Sequence, residues 1–219
     1  MIRVMVVDDE ALIRLGFELI LNQAEDVEVV ATVGGGQALA AVREHRPDVV
    51  LLDIRMPDVD GLTILRQVME LPQLPVVAML TTFDSDEYIA AALRAGASGF
   101  LLKDTDPEQL AQLVRSLAAG GVVLSPKVTG TVVSGFLDRA TADAGEAKLA
   151  ARLTERERDI LVLLAEGLSN AEIGQRVHLS VGTVKDHVSA VLAKLQVANR
   201  VQAALFAQRV GLFPPPGNH

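Results

Sequence analysis

The sequence predicts an α/β domain with a doubly wound, five-stranded parallel sheet, followed by an all-α domain of four helices. In the first part, short aliphatic runs alternate with helical patterns, which is typical of a parallel sheet covered by helices on both faces. After about residue 150 every predicted element is helical. Half of the 219 residues are hydrophobic and only 3% are aromatic, so aliphatic side chains must fill both cores.

The first domain is predicted to cover residues 1–120. Its strands are expected near residues 2–7, 27–33, 49–53, 76–81 and 99–102. These runs are mostly apolar, which fits strands that are buried on both faces. Helices are expected between them, near residues 10–22, 36–45, 62–71, 85–95 and 107–119. Asp106 is the expected N-cap of the last helix, Pro107 fits its first turn, and Gly120-Gly121 fits its end.

A linker is predicted over residues 121–148, because Gly, Ser, Pro and Ala give this stretch little periodicity. It contains one marginal helix near residues 127–138. The second domain is expected at 149–212, with helices near residues 154–166, 170–177, 181–195 and 200–210. The Pro-rich tail at 213–219 cannot continue a helix and is expected to be disordered.

Charge is distributed unevenly along the chain. Residues 1–148 carry a net charge of −10 and residues 149–219 a net charge of +2, which suggests two domains with different partners. The chain has no Cys, which excludes disulfides and thiolate metal sites. No apolar stretch is long enough for a signal peptide or a membrane span, so we expect a cytoplasmic protein without a membrane partner.

Polar residues of three kinds stand at the carboxyl ends of the predicted strands. Asp8 and Asp9 follow the first strand, Asp53 ends the third, Thr81 ends the fourth and Lys103 follows the fifth. In an open parallel sheet these ends line one crevice, which is where ligands bind. Each residue alone could be a turn former, a helix cap or a solvated charge. Together they predict a site for a divalent cation and a phosphoryl group.

Oxygen ligands favour Mg²⁺, and a cation would relieve the repulsion among three carboxylates in one crevice. We expect Asp9 and Asp53 to bind the cation directly and Asp8 to act through water. The backbone carbonyl after Asp53, that of Arg55, is the expected source of another oxygen.

Asp53 is also the expected nucleophile, because a carboxylate can accept a phosphoryl group and become an aspartyl phosphate. Such a transfer depends mainly on positioning and on neutralisation of charge. We expect Lys103 to neutralise one side of the phosphoryl group and the Thr81 hydroxyl to donate a hydrogen bond to it.

This pattern resembles the receiver domain of bacterial response regulators, which has a flavodoxin-like fold. The likeness covers residues 1 to about 120 and is carried by Val7-Asp8-Asp9-Glu10, Leu52-Asp53-Ile54-Arg55-Met56-Pro57, Asp60-Gly61, Thr81-Thr82-Phe83 and Phe100-Leu101-Leu102-Lys103-Asp104. It implies that a sensor histidine kinase phosphorylates Asp53. It also implies a two-state switch in which Thr81 shifts toward the phosphate, Phe100 turns inward and the face formed by residues 85–119 changes.

The second domain shows the pattern of a helix-turn-helix unit. Thr154 and Glu157 predict a capping box, Ser169 or Asn170 can cap the next helix, and a tight turn at Leu179-Ser180 precedes a longer one. One face of this longer helix is apolar, with Val184, Val188, Val191, Leu192 and Leu195. The opposite face is small and polar enough to enter the major groove of DNA, although an ordinary solvated face is the alternative; it holds Gly182, Asp186, Ser189 and Ala193, flanked by Lys185 and Thr183.

This domain resembles the LuxR-type DNA-binding domain from about residue 149 to 212, so the whole chain resembles a NarL/LuxR-type response regulator. The likeness is carried by Leu153-Thr154-Glu155-Arg156-Glu157, Ser169-Asn170-Ala171-Glu172-Ile173, Thr183-Val184-Lys185-Asp186-His187-Val188 and Lys194-Leu195. It implies that Lys185 reaches bases or phosphates and that Asp186 and Ser189 face base edges. It also implies that five residues lie near the phosphate backbone: Thr154, Asn170, Thr183, Lys194 and Arg200.

The last helix resembles the dimerisation helix of that family. Its stripe either packs on its own domain or joins two copies, and it consists of Val201, Ala204, Leu205 and Gln208. A dimer would make the DNA target an approximate inverted repeat. Gln196 stands where relatives often have Gly, so the end of the preceding helix is expected to be less favourable.

These patterns together predict a DNA-binding transcription regulator that forms a homodimer when Asp53 is phosphorylated, with a sensor histidine kinase and double-stranded DNA as partners. We expect no turnover of a separate substrate. One alternative is a Mg²⁺-dependent phosphohydrolase with an aspartyl nucleophile, but such enzymes commonly have a second acid where this chain has Arg55. The other is a regulator that binds DNA independently of phosphorylation.

Overall fold

The computed structural model describes residues 1–82, 86–124 and 144–212. The marginal helix expected near residues 127–138 and the tail at 213–219 lie outside this part of the chain. The chain divides into two compact units, one built on residues Met1–Ala118 and the other containing the helices that follow residue 144. Among the described residues, no helix has both the length and the apolar composition needed to cross a membrane.

The first unit is built on a five-stranded sheet in which all neighbouring strands are parallel. The strands are β1 Ile2–Val7, β2 Val27–Val33, β3 Val49–Asp53, β4 Val76–Thr81 and β5 Gly99–Leu102. Their order is β2-β1-β3-β4-β5, so the direction of winding reverses between β1 and β3. The predicted bounds of all five strands are confirmed. A crevice is expected at the carboxyl ends of the two strands where the winding reverses.

Five α-helices accompany the sheet in the described residues of this unit. They are α1 Ala11–Leu21, α2 Ala38–His45, α3 Gly61–Val68, α4 Asp86–Ala95 and α5 Pro107–Ala118, and a 3-10 turn at Gly35–Gln37 precedes α2. Helices α1 and α5 bury Phe17, Leu21 and Leu110 in a core shared with the strands. Strand residues Val4 and Val6 in this core have no exposed surface, which explains the mostly apolar runs.

The chain returns to the sheet after α5. Val123, which the sequence assigned to the linker, forms a parallel bridge with Gly99. Its carbonyl accepts a hydrogen bond from the Phe100 N–H at 2.7 Å. A Cβ atom at Gly99 would lie 2.9 Å from the Val123 carbonyl oxygen, so the small residue permits this approach. Val123 therefore belongs to the edge of the sheet, a pairing too short to appear as a strand pattern in the sequence.

The described part of the second unit contains five helices, one more than the four expected. They are α6 Ala144–Ala150, α7 Glu155–Ala165, α8 Asn170–Val177, α9 Val181–Leu195 and α10 Arg200–Arg209. Helix α6 lies mostly in residues that were assigned to the linker. Its Leu149 and Ala150 pack on the core of this unit. Its Glu146 carboxylate lies 2.7 Å from the Arg209 guanidinium, so tertiary contacts hold a helix with little periodicity of its own.

Local signals set the helix ends in this unit. The capping box predicted from Thr154 and Glu157 is present on α7. A second capping box opens α8, with Ser169 rather than Asn170 as the cap. Helix α9 ends at Gln196, whose φ of 56° is left-handed. A residue with a Cβ is disfavoured in that conformation, which agrees with the less favourable helix end that was expected.

Candidate functional site

The polar residues predicted to meet at the carboxyl end of the sheet do lie together. Asp8, Asp9 and Asp53 each have a carboxylate oxygen within 4.8 Å of the others. Asp8 is completely buried, Asp53 is 3% exposed and Asp9 is exposed. The Lys103 Nζ lies 2.8 Å from Asp8 Oδ2 and 3.0 Å from Asp53 Oδ2. This arrangement joins three carboxylates and one ammonium group in a single pocket.

Lys103 compensates the charge of two buried carboxylates. Burial acts to lower the pKa of Lys103, but its hydrogen bonds to Asp8 and Asp53 outweigh burial and raise that pKa. Burial also raises the pKa of Asp53, and the hydrogen bond from Lys103 opposes this rise only in part. The negative charge of Asp8 raises the pKa of Asp53 further. One ammonium therefore leaves the pocket with excess negative charge, which suits a cation.

Contacts of its backbone hold the loop that follows Asp53 in place. The Asp53 Oδ1 accepts a hydrogen bond from the Arg55 N–H at 3.4 Å. Helix α3 begins so close to this loop that a Cβ atom at Gly61 would lie 2.1 Å from the Asp53 carbonyl oxygen. The Arg55 side chain lies over the Tyr88 ring of α4, 5.7 Å from its centroid. Gly61 thus permits the tight contact that holds the main chain beside the Asp53 carboxylate.

The loop after β1 is held by three kinds of contact. The Asp8 N–H donates to the Val33 carbonyl at 3.1 Å, and the Glu10 N–H donates to Asp8 Oδ1 at 2.9 Å. In addition, Arg14 on α1 donates to the backbone carbonyls of Asp8 and Asp9 at 2.6 and 3.1 Å. Sequence reasoning missed Arg14, because a basic residue in the first turns of an amphipathic helix carries no signal of this contact.

Thr81 and Phe100 lie on the neighbouring strands β4 and β5. Thr81 is 5% exposed, and its carbonyl accepts a hydrogen bond from the Lys103 N–H at 2.9 Å. Phe100 is only 1% exposed, so its ring already lies inside the first unit. In this conformation the Phe100 ring already has the inward position that was expected only after phosphorylation.

Helices α8 and α9 form the helix-turn-helix unit that the sequence predicted. The Leu179 N–H donates to the Gly174 carbonyl at 2.9 Å, and a Cβ atom at Gly174 would lie 2.7 Å from the Leu179 carbonyl oxygen. The tight turn therefore requires Gly at this position. Ser180 caps α9 by accepting a hydrogen bond from the Thr183 N–H at 3.1 Å.

The two faces of α9 differ as expected. Its apolar face is buried at Val184, Val191 and Leu195 and half-buried at Val188 and Leu192. The residues of the predicted contact face are all exposed, namely Gly182, Thr183, Lys185, Asp186, Ser189 and Ala193. The Ser189 hydroxyl donates to the Lys185 carbonyl at 2.9 Å, so this hydroxyl has an intrahelical partner.

The other residues expected near a phosphate backbone differ in their surroundings. Thr154 is exposed at the start of α7, whereas Lys194 is engaged by both carboxylate oxygens of Glu157, at 2.6 and 2.7 Å. Asn170 and Arg200 are 5% and 7% exposed, so both lie inside rather than on the expected surface. Arg200 donates to the Leu168 carbonyl, which supplies a carbonyl near the end of α7 with a partner. Burial lowers the pKa of Arg200 to about 10.

The stripe on α10 is only partly available to a second copy. Val201 is only 6% exposed. Ala204, Leu205 and Gln208 are half-buried. The stripe thus combines packing on its own unit with some accessible surface.

Comparison with known proteins agrees with both halves of the chain. Residues 4–115 match the family model of the response regulator receiver domain, and residues 151–207 match that of bacterial regulatory proteins of the luxR family. The response regulator VraR of Staphylococcus aureus is 38% identical over 208 residues, which cover 94% of this chain and 96% of VraR. The transcriptional regulatory protein LnrK of Bacillus subtilis is 37% identical over 218 residues, covering 97% and 99% of the two chains. The crystal structure of ChrA, a response regulator of a heme-sensing two-component system, has a TM-score of 0.51 and 34% identity, covering 96% of this chain and 98% of that chain.

The chain therefore belongs to the bacterial response regulators that join a receiver domain to a LuxR-type DNA-binding domain. It is a transcription regulator of a two-component system, switched by phosphorylation, rather than a classical enzyme. A receiver domain implies a sensor kinase as partner, and the LuxR-type domain implies DNA. Receiver domains bind Mg²⁺ in an acidic pocket, and the cluster of Asp8, Asp9 and Asp53 provides such a pocket here.

Proposed function

We propose that Asp53 is the residue that accepts the phosphoryl group from the sensor histidine kinase. One observation carries this assignment: the Asp53 carboxylate is buried, lies beside two further carboxylates and is 3.0 Å from the Lys103 ammonium. In the transfer, a carboxylate oxygen attacks the phosphorus of a phosphohistidine. The phosphorus–nitrogen bond breaks, and its electrons leave with the imidazole, which takes up a proton.

We propose that Asp8, Asp9, Asp53 and the backbone carbonyl of Arg55 form the Mg²⁺ site. The fit rests on oxygen donors alone, on the 4.8 Å spacing of the carboxylates and on a single compensating ammonium. A bound Mg²⁺ would supply neutralisation of the carboxylates and of the incoming phosphoryl oxygens. Asp9 is the exposed member of the cluster, which favours direct binding, whereas the Oδ2 of Asp8 is 2.8 Å from Lys103, which favours contact through water.

We propose that Lys103 and Thr81 respond to phosphorylation of Asp53 by forming hydrogen bonds to the phosphoryl group. Lys103 already donates a hydrogen bond to Asp53. Its ammonium therefore needs to move little to donate to an oxygen of a phosphoryl group on Asp53 instead. Thr81 ends the strand next to β3, and its backbone is tied to that of Lys103. A shift of Thr81 toward the phosphate would therefore be passed to β5, where Phe100 fills the core.

We propose that α9 enters the major groove of DNA. Lys185, Asp186, Ser189 and Thr183 are exposed on one face, as a groove-facing helix requires. Thr154 is exposed and suited to a phosphate contact. Lys194 would have to share its ammonium between Glu157 and the phosphate. For Asn170 and Arg200 the burial favours a structural role, so a phosphate contact by either one would require local rearrangement.

We propose that phosphorylation promotes a homodimer, in which the accessible parts of Ala204, Leu205 and Gln208 contact a second copy. Val201 is buried, so it offers little surface to a second copy. A symmetric pair of DNA-binding domains would recognise an approximate inverted repeat.

We further propose revised domain bounds. The receiver domain, predicted to cover residues 1–120, would extend to Val123, and the DNA-binding domain would begin with α6 rather than at residue 149. We also propose a cytoplasmic location, because the target is DNA.

The assignment of Asp53 is tested by Asp53→Ala. We expect this variant to lose labelling by acetyl phosphate in the presence of Mg²⁺, because it removes the carboxylate that is proposed to form the acyl phosphate, 3.0 Å from the Lys103 ammonium. Labelling is measured by intact-protein mass spectrometry in acid, where an acyl phosphate survives. Asp104→Ala, which removes an exposed carboxylate next to Lys103, is the matched control and should label like the wild type. Full labelling of Asp53→Ala would contradict the assignment.

Two alternatives predict different results. A phosphohydrolase would release phosphate repeatedly from monoesters, and we expect no such turnover because Arg55 replaces the second acid that such enzymes commonly have. A regulator that ignores phosphorylation would bind DNA equally well with and without a phosphate mimic. We expect the mimic to increase binding by the wild type and to leave binding by Asp53→Ala unchanged.

A further inference from the structure

Arg14 makes an unusual contact with the loop formed by residues 8–10. A single guanidinium nitrogen, Nη1, donates to the carbonyls of two successive residues, at 2.6 Å to Asp8 and 3.1 Å to Asp9. Arg14 lies in the first turns of α1 and is half-buried. It therefore ties the start of this helix to the main chain that presents two of the three carboxylates.

Asp8 is held by further contacts. The Asp8 N–H donates to Val33, and Asp8 Oδ1 accepts from the Glu10 N–H. Asp8 is also completely buried, which restricts its side chain further. Asp9 is exposed, so burial does not fix its carboxylate. The hydrogen bond from Arg14 to the Asp9 carbonyl directly restrains the main chain of the exposed member of the cluster.

We infer that Arg14 is a positioning residue for the divalent cation, a role that rests on the proposed Mg²⁺ site. It touches neither the cation nor the phosphoryl group, and it acts by holding the carbonyls of Asp8 and Asp9 so that both carboxylates point into the pocket. Outer partners that orient metal ligands commonly change metal affinity by about 10–100-fold. A guanidinium suits this task, because its donors have a fixed planar geometry that lysine lacks.

The charge of Arg14 acts in the opposite direction. A positive group near the pocket repels Mg²⁺, so loss of charge alone would strengthen cation binding. Arg14 is half-buried, and solvent screens this repulsion. Positioning and repulsion therefore predict opposite signs for the same substitution, which makes the role directly testable.

The test is calorimetric titration of the full-length protein with MgCl₂. We expect Arg14→Gln to bind Mg²⁺ about 10-fold more weakly than the wild type, because the tether of the loop is lost. We expect Arg14→Lys to bind more weakly as well, although it keeps the charge. Arg115→Gln is the matched control: it removes an exposed guanidinium that pairs with Asp26 at 2.7 Å in the same unit, and its affinity should be unchanged.

A second readout follows the loop itself. Amide hydrogen exchange at residues 9–10 should become faster in Arg14→Gln and Arg14→Lys and stay unchanged in Arg115→Gln. Wild-type affinity in Arg14→Lys with slow exchange, or tighter Mg²⁺ binding in Arg14→Gln, would overturn the positioning role while leaving the cation site in place. Absence of Mg²⁺ binding in the wild-type protein would instead overturn the cation site and the role of Arg14 with it.

Discussion

Lys103 determines how strongly the pocket attracts a cation. Its ammonium lies within 3.0 Å of oxygens from both Asp8 and Asp53, two of the groups that are proposed to serve the cation. A Mg²⁺ ion bound at the proposed site would therefore compete with Lys103 for the same negative charge before the phosphoryl group arrives. Once Asp53 is phosphorylated, the added negative charge gives the ammonium and the cation separate oxygens to bind.

Lys103→Met should bind Mg²⁺ about 10-fold more tightly than the wild type, because a positive charge next to the carboxylates is removed. The same variant should label more slowly with acetyl phosphate, since one side of the phosphoryl group loses its counter-charge. The chain has no Trp whose fluorescence could report cation binding, so calorimetry is used to measure the affinity.

Lys148→Met serves as the control, because it removes an exposed lysine on α6 without touching the pocket. Its Mg²⁺ affinity and labelling rate should match the wild type. Unchanged or weaker Mg²⁺ binding by Lys103→Met would show that the ammonium and the cation do not share the pocket as described.

The positions of single functional residues could be predicted where those residues lie at the ends of strands, and less well where they lie in helices. Asp8, Asp9, Asp53, Thr81 and Lys103 follow strands whose apolar runs are unambiguous, so their meeting point could be derived from the topology of parallel sheets. Arg14 and Arg200 lie in helices, where the sequence shows which face they share but not which backbone carbonyl they reach. Their hydrogen bonds depend on how loops close in three dimensions.

At the scale of elements, an ion pair connects helices α7 and α9. The buried Glu157 belongs to the capping box of α7 and binds Lys194 near the end of α9. The hydrogen bond from Lys194 is the main cause of the lowered pKa of Glu157. Because the folded state holds the ionised carboxylate more favourably than the unfolded chain, this pair stabilises the second unit above pH 4.5. The stabilisation is lost as the pH falls through the lower pKa of the folded state.

Glu157→Gln should lower the free energy of unfolding of the second unit by about 1–2 kcal/mol at neutral pH, because a charge-assisted hydrogen bond is lost. The difference from the wild type should shrink as the pH falls from 4.5 through the lower pKa of the folded state, where Glu157 of the folded wild type becomes protonated. Scanning calorimetry of the full-length protein at several pH values measures both effects.

Glu155→Gln removes an exposed carboxylate from the same helical turn and should change stability far less. A loss of stability in Glu157→Gln that is the same at every pH would contradict an electrostatic contribution from this ion pair.

The elements themselves could be predicted to different degrees. Each strand is a mostly apolar run, with Arg3 in β1 and Glu28 in β2 among the exceptions, and the bounds of β1 to β5 follow from this pattern. Helix α6 could not be predicted from the pattern. Its seven residues follow an Ala- and Gly-rich stretch, and its core contacts are made by Leu149 and Ala150. Its other restraint, between Glu146 and Arg209, joins residues that are far apart in sequence. Such contacts leave no periodicity.

At the scale of the whole molecule, phosphorylation acts as the bias on a two-state equilibrium. A shift from a mostly inactive to a mostly active population requires a differential stabilisation on the order of 3–5 kcal/mol. New charge-assisted hydrogen bonds from Lys103 and Thr81 to a phosphoryl group can supply that difference. Phe100 is already buried, so the structural change must involve more than the position of its ring.

Addition of beryllofluoride and Mg²⁺ should convert the 23.3 kDa chain into a dimer, because the mimic occupies the place of the phosphoryl group on Asp53. Light scattering coupled to size-exclusion chromatography measures the change in mass. Asp53→Ala should keep the mass of the untreated protein under both conditions. A wild-type mass that does not respond to the mimic would contradict dimerisation controlled by the receiver.

The most direct test of the central claim is to identify the modified residue itself. After treatment of the full-length protein with acetyl phosphate and Mg²⁺, borohydride reduces the acyl phosphate, and peptide mass spectrometry locates the altered residue. We expect the altered residue to be Asp53 and its yield to be lower in Lys103→Met. Modification of Asp8, Asp9 or a histidine, with Asp53 intact, would contradict this expectation.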